Sequence, residues 1–117
     1  MKWLLREDFW KHFEKIQPGE DIDYDGWCYF EISEKDLRSK IGSMEPNKDL
    51  EGEDNPPGPV SRWYGDLSGT PVILDFHHHH PNGEAVTIYH GRNTDSRAKI
   101  RSEFEDWGNK WDESKAS

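Results

Sequence analysis

The chain has 117 residues, of which 32% are hydrophobic and 13% aromatic, and its formal net charge is -9. This length excludes two domains that each bury a proper core, so we expect a single domain over residues 1–117. Six tryptophans argue against disorder, because disordered chains are poor in aromatic residues. The negative charge excludes non-specific binding to nucleic acid or to anionic membranes and favours a basic protein as partner.

Cys28 is the only cysteine of the sequence, which excludes an intrachain disulfide and is typical of a reducing compartment. The first residues contain no apolar run of the length that a signal peptide or a membrane span requires. We therefore expect a cytoplasmic protein without a membrane segment.

Two helices and a strand are predicted in the first half of the chain. Apolar residues recur at helical spacing over 3–16. The stretch 26–33 is rich in aromatic and β-branched residues and alternates in the way of a strand. Ser33 and Asp36 have the spacing of a capping box, which predicts a short second helix.

A hairpin and a third helix are predicted after an exposed loop at 45–59, where acidic residues, proline and glycine are crowded together. Asn82-Gly83 is a strong hairpin signal. Strands are expected at 60–64, 71–79 and 84–90. A cluster of N-cap residues at 94–96 precedes apolar residues at helical spacing up to position 111. This order predicts an α+β fold, a mostly antiparallel sheet with helices packed on one side.

The negative charge is concentrated between positions 20 and 54. This segment holds twelve acidic residues against Lys35, Arg38, Lys40 and Lys48, so it carries -8 of the net charge. Such a field attracts a basic partner and steers its association. The acidic residues predicted to contact the partner are Glu20, Asp21, Asp23, Asp25, Asp49, Glu51, Glu53 and Asp54.

Two neighbouring aromatic residues, Trp63 and Tyr64, follow the acidic loop. Burial in the core is the commoner fate of such residues. Aromatic side chains also concentrate at protein interfaces, and in that interpretation the pair anchors the partner. We therefore include both residues in the predicted partner-binding surface.

Four consecutive histidines occupy positions 77–80, inside the predicted hairpin. If the turn is Asn82-Gly83, Asp75 pairs with His90, and strand alternation puts Asp75, His77 and His90 on one face. Two imidazoles and a carboxylate on one face can hold Zn²⁺ or a similar ion. The alternative, which we favour, is a solvated hairpin tip, so no metal and no cofactor is expected.

A second acidic pattern opens in the way of a calcium-binding loop, with Asp21, Asp23 and Asp25 followed by Gly26. The twelfth position of such a loop should be a glutamate and is Ile32 here. An acidic turn without metal is therefore the preferred interpretation.

No catalytic constellation is visible in the sequence. Cys28 alternates with apolar neighbours and is expected to point inward, and no glycine-framed serine and no phosphate-binding loop occurs. We predict that the protein is not an enzyme.

Several motifs follow one another in the second half: a glycine turn after Trp63, an apolar strand ending near Asp75, a second glycine turn, another strand, and a last helix with spaced aromatic residues. They occupy 65–69, 72–76, 82–84, 86–89 and 102–107. Over this half the chain resembles the Smi1/Knr4-like domains of the SUKH superfamily. The resemblance implies a SUKH-like fold and a bacterial immunity protein that blocks a cognate toxin, often a nuclease, by direct contact and without catalytic residues.

Three hypotheses for function remain. The first is an immunity protein whose acidic surface neutralises a basic toxin, possibly a nuclease. The second is a phage-type inhibitor that mimics DNA and blocks a host defence nuclease. The third is a metal-binding module or metalloenzyme built on Asp75, His77 and His90.

Overall fold

The computed structural model describes residues 1–13, 26–47, 60–78, 83–90 and 94–113. In these residues six strands form one antiparallel sheet and three helices pack against it. In chain order the elements are β1 (Lys2–Leu4), α1 (Arg6–His12), β2 (Gly26–Glu31), α2 (Glu34–Ile41), β3 (Val60–Leu67), β4 (Thr70–His77), β5 (Ala85–His90), α3 (Thr94–Phe104) and β6 (Asn109–Glu113). The strand order is β1-β3-β4-β5-β2-β6. The predicted α+β class and antiparallel sheet are confirmed.

The long hairpin of β3 and β4 occupies the second and third positions of the sheet. Its two-residue turn is Ser68-Gly69, and both residues have positive φ, 50° and 89°, as a type I′ turn requires. The carboxylate of Asp66 accepts a hydrogen bond from the backbone N–H of Gly69 at 2.6 Å. Because this turn needs only two residues, β3 runs on to Leu67, beyond the end predicted at position 64.

One face of the sheet, here called the core face, is covered by α2 and α3. Leu37 and Ile41 of α2 and Ile100 and Phe104 of α3 are buried against its apolar strand residues. The predicted start of α2 is confirmed, since Ser33 Oγ accepts a hydrogen bond from the backbone N–H of Asp36 at 3.1 Å. A cap of this kind typically contributes about 1 kcal/mol.

The opposite face, here called the α1 face, carries the first helix. Phe9 of α1 is fully buried against Tyr64 and Ile73, with a ring-centroid distance of 5.0 Å between Phe9 and Tyr64. The helices therefore lie on both sides of the sheet, whereas the sequence suggested one side. The reason lies in β1: it pairs with the outer edge of β3, and the chain turns directly from that edge into α1.

Both ends of the described chain form strands where helix was predicted. At the N-terminus, Trp3 of β1 packs closely over Gly65, where an added Cβ would lie 3.1 Å from the indole ring. At the C-terminus, Gly108 lies against the backbone carbonyl of Glu31 and the ring of Phe30, a position with no room for a side chain. Helix α3 ends at Phe104, so the chain can pass this contact and return as β6 beside β2.

Candidate functional site

A buried ion pair lies at the centre of the α1 face. Arg62 and Asp75 are directly opposite on β3 and β4, and the guanidinium donates two hydrogen bonds to the carboxylate, at 2.6 and 2.8 Å. Asp75 is fully buried. Burial by itself lowers the pKa of Arg62, but the hydrogen bonds and charge of Asp75 outweigh it and raise the pKa. Arg62 is thus charged, and its two hydrogen bonds hold the guanidinium against the carboxylate as a bidentate pair.

Polar contacts continue across the same face. His77 pairs with Ala85, and its Nε2 lies 2.8 Å from the hydroxyl of Thr87. Thr87 in turn is the β5 partner of Asp75. The row thus brings the hydrogen bond between His77 and Thr87 beside the Arg62–Asp75 pair.

The alternative metal-ligand set of Asp75, His77 and His90 is not brought together in the structure. His90 lies on the core face, while Asp75 and His77 lie on the α1 face. Asp75 also has both carboxylate oxygens bonded to Arg62. Within the residues that the structure describes, no three His, Cys, Asp or Glu side chains are grouped so that they could hold a metal ion.

The physical reason for this separation is the strand register. A two-residue turn at Asn82-Gly83 would have paired Asp75 with His90, but Asp75 pairs with Thr87 and His77 with Ala85. The shift is three residues along β5, and an odd shift moves every side chain of a strand to the other face.

One serine and one histidine are close to each other. Ser61 Oγ lies 2.6 Å from His78 Nε2, and the imidazole packs edge-on against Phe76 at a centroid distance of 5.1 Å. A nucleophile must be reachable by its substrate, and Ser61 is only 1% exposed. The arrangement fastens the end of β4 to β3.

Cys28 points into the core, as predicted, and is fully buried. Burial, with a smaller contribution from the charge of Glu113, raises the pKa of its thiol well above the ordinary value. The thiolate is the reactive form of cysteine, so this side chain packs as a small apolar group.

Trp63 and Tyr64 are core residues and not exposed anchors, which corrects their place in the predicted partner-binding surface. They are 2% and 3% exposed. The indole N–H of Trp63 donates to the carbonyl of Met44 at 3.0 Å, and Tyr64 packs on Phe9. Strand alternation sends the two rings to opposite faces, and each face has its own helix to cover the ring.

The predicted acidic contact residues lie outside the described residues: Glu20, Asp21, Asp23, Asp25, Asp49, Glu51, Glu53 and Asp54. The strand positions that follow them are described. Gly26 pairs with His90 at one end of the sheet, and Val60 pairs with His77 at the other end. At about 3.4 Å per residue, these two entry points are about 17 Å apart along the strands.

The structure describes the second half of the calcium-loop pattern and shows it as part of the sheet. The first half of the pattern lies outside the described residues, but the positions after Gly26 form β2, where Ile32 follows as a buried residue. A calcium-binding loop would need these positions for ligands. Their pairing with β5 and β6 assigns them to the sheet instead.

Half-buried aromatic residues line the α1 face beyond the polar row. Trp27 of β2 is directly opposite Tyr89 of β5, and Tyr29 is directly opposite Asp112 of β6. The hydroxyl of Tyr29 donates to the carboxylate of Glu31 at 3.3 Å. These five residues, Trp27, Tyr29, Tyr89, Glu31 and Asp112, are called the aromatic-acidic strip below.

Sequence reasoning located part of this strip. The alternation in 26–33 predicts Trp27, Tyr29 and Glu31 on one side of a strand and Cys28 on the other, and the structure confirms this. Asp112 was missed, because the helical spacing of apolar residues up to 111 concealed β6. The signal that marks the change of element is Gly108, which ends the helical pattern.

Comparison with protein-family models, with curated proteins and with solved structures gave no match. The likeness to the SUKH superfamily therefore stays a prediction. No helix in the described part of the chain is long and apolar enough to cross a membrane.

Proposed function

We propose that the protein binds a basic protein through its acidic surface and inhibits it, as an immunity protein that neutralises a toxin in the cytoplasm. The toxin would be a nuclease or another protein with a basic working surface. The motif resemblance of 62–111 to the SUKH superfamily supports the immunity class. The charge distribution supports the mode of binding.

The observation that carries the proposal is where the charge lies. Four acidic residues fall within 20–25, and Asp49, Glu51, Glu53 and Asp54 fall within 48–54 with Lys48 as the one basic residue. These two short segments account for -7 of the net charge of -9. Charge that is concentrated in two short segments steers a basic surface toward those segments.

The folded scaffold, in contrast, pairs many of its own charges. Arg62 binds Asp75, Arg101 binds Glu113, and Arg38 binds Glu34 at 3.0 Å. Lys110 lies 3.4 Å from Glu31. A carboxylate that is paired with a cation of the same protein contributes little to the electrostatic field outside the molecule. The excess of negative charge in the two acidic segments therefore contributes most of the field that attracts a basic partner.

The test is binding to a candidate basic toxin, such as a nuclease domain, with the salt concentration varied. Salt shortens the Debye length from about 30 Å at 0.01 M to about 3 Å at 1 M. We expect the association rate to fall by at least about tenfold over this range, as for other steered complexes. Neutralising Asp21, Asp23 and Asp25 to Asn should lower the rate at low salt in the same direction.

A matched control removes the same charge elsewhere. Glu103→Gln, Glu105→Gln and Asp106→Asn change three acidic residues in the last turn of α3 and directly after it, far in sequence from both acidic segments. If this control slows association as much as the first variant does, only net charge matters and the localised surface is refuted. A complex whose association is insensitive to salt would refute the electrostatic mechanism altogether.

A further inference from the structure

We infer that the aromatic-acidic strip on the α1 face is the surface that takes up the Arg and Lys side chains of the basic partner. This inference rests on the proposed function, because it names the place on the sheet where that partner docks. The strip exists because the register of β5, β2 and β6 places three aromatic rings and two carboxylates next to one another on this face.

The geometry joins two kinds of recognition group. Trp27 and Tyr89 are opposite each other, and Tyr29 has Asp112 opposite it and Glu31 two positions along its own strand. Asp112 is exposed, and its carboxylate accepts a hydrogen bond from the backbone N–H of Glu113 at 3.0 Å. The carboxylates thus lie beside half-buried rings and not on a separate part of the surface.

The chemistry of such a strip favours cations. Trp and Tyr faces attract guanidinium and ammonium groups, and neighbouring carboxylates can accept the hydrogen bonds of the same guanidinium. Trp, Tyr and Arg are also the residues that contribute most to binding at protein interfaces. An Arg-rich segment is therefore a better complement than an apolar or an acidic one.

Two tryptophans of the core face already have cationic side chains over their rings. The guanidinium of Arg38 lies over Trp63 at 5.7 Å, and the ammonium of Lys40 lies over Trp107 at 5.8 Å. On the α1 face, the cation beside the strip is Lys110, at 3.4 Å from Glu31 with its side chain 73% exposed. An exposed pair of this kind contributes little to stability, so an incoming Arg can replace Lys110.

The acidic segment 20–25 directly precedes β2 in the sequence. Asp25 is two residues before Trp27 in the sequence, and Gly26 begins β2. Four acidic residues therefore directly precede the strip in the sequence, and their charge adds to that of Glu31 and Asp112. Charge complementarity and the order of the chain both select a basic protein segment as the occupant.

The test uses an oligo-arginine peptide as probe and follows the side-chain resonances of the whole protein by NMR. We expect the Trp27 indole N–H and the Tyr29 and Tyr89 ring signals to shift more than those of Trp63 and Trp107. Asp112→Asn should weaken peptide binding by up to about fivefold, the effect of losing one exposed ion pair. Asp106→Asn, which removes the same charge outside the strip, is the matched control.

Two results would overturn the inference, and they separate it from the proposed function. If the peptide binds but shifts the resonances of other residues, the strip is not the docking surface. The same holds if Asp112→Asn and Asp106→Asn weaken peptide binding equally. In both cases the proposed binding of a basic partner by an acidic surface is unaffected. If the peptide does not bind even at low salt, the electrostatic basis of the proposed function fails as well. Trp27→Leu, which keeps an apolar residue in the sheet, should reproduce the loss seen with Asp112→Asn.

Discussion

At the scale of single residues, the Arg62–Asp75 pair shows how a charged group is tolerated inside a sheet. The carboxylate is fully buried, and the side chain of Arg62 is 12% exposed. Taking both charges out of water is costly, and their two hydrogen bonds offset that cost only while both partners are present. The pair therefore adds little net stability, although the loss of one partner alone is costly.

The first prediction concerns this pair. Asp75→Asn should destabilise the fold by about 3 kcal/mol or more, because it leaves a buried guanidinium without its counter-charge. The double variant Arg62→Met with Asp75→Leu should recover most of that loss, since it removes both charges at once. Urea unfolding of the wild type, each single variant and the double variant forms the cycle that measures the coupling. Equal losses in the Asp75→Asn and double variants would contradict this account.

Residue types alone predicted that Cys28 is buried. They did not predict which face of the sheet carries Asp75, His77 and His90. The sequence places these three on paired strands, whereas their grouping depends on a register that the hairpin loop sets. The side-chain period of a strand is two, so an odd shift was enough to separate His90 from the other two. No local signal in 77–84 specifies that shift.

At the scale of elements, the strands and helices inside the chain were the most predictable. The alternation in β2 and the Ser33 cap of α2 are local patterns, and the structure has both. The strands β1 and β6 were missed because their formation depends on distant partners. Trp3 needs Gly65 beneath it, and β6 needs Gly108 to pass closely by Glu31.

The second prediction concerns how β6 is held. The hydrogen bond from Arg101 lowers the pKa of Glu113, outweighing the opposite effect of burial, and the indole N–H of Trp111 donates to the same carboxylate at 3.1 Å. A carboxyl with a lowered folded-state pKa stabilises the fold above its ordinary pKa of about 4.3. That stabilisation is lost as the pH falls through the lowered value.

An NMR titration of the Trp111 indole N–H measures this effect directly. Because the pKa of Glu113 is lowered, we expect the resonance to move only at a pH below the ordinary range of a glutamate, when protonated Glu113 releases β6 from α3. Glu113→Gln, which cannot ionise, should abolish that movement. Arg101 is largely exposed, so the change should stay local to β6 and leave the global unfolding transition nearly unaltered. The same titration curve in both proteins would contradict the assignment to Glu113.

At the scale of the whole molecule, charge and packing are separated along the sequence. The described core is built from the strands and from single apolar faces of three helices, while most of the net charge lies in 20–25 and 48–54. The position of each charged residue can be read from the sequence without knowledge of the fold. The sequence therefore predicted where the net charge is concentrated. It did not predict that the two segments join the sheet at opposite ends, since that depends on the strand order.

The third prediction follows from that separation. Replacing Asp21, Asp23, Asp25, Glu51, Glu53 and Asp54 by their amides removes like charges whose mutual repulsion disfavours the compact state. We expect the free energy of unfolding at low salt to stay the same or to rise, and the difference from the wild type to shrink as salt screens the repulsion. Urea unfolding at low and high salt measures both effects. A loss of more than about 1 kcal/mol would mean that these acids hold the fold together, and a surface reserved for a partner would then be the wrong description.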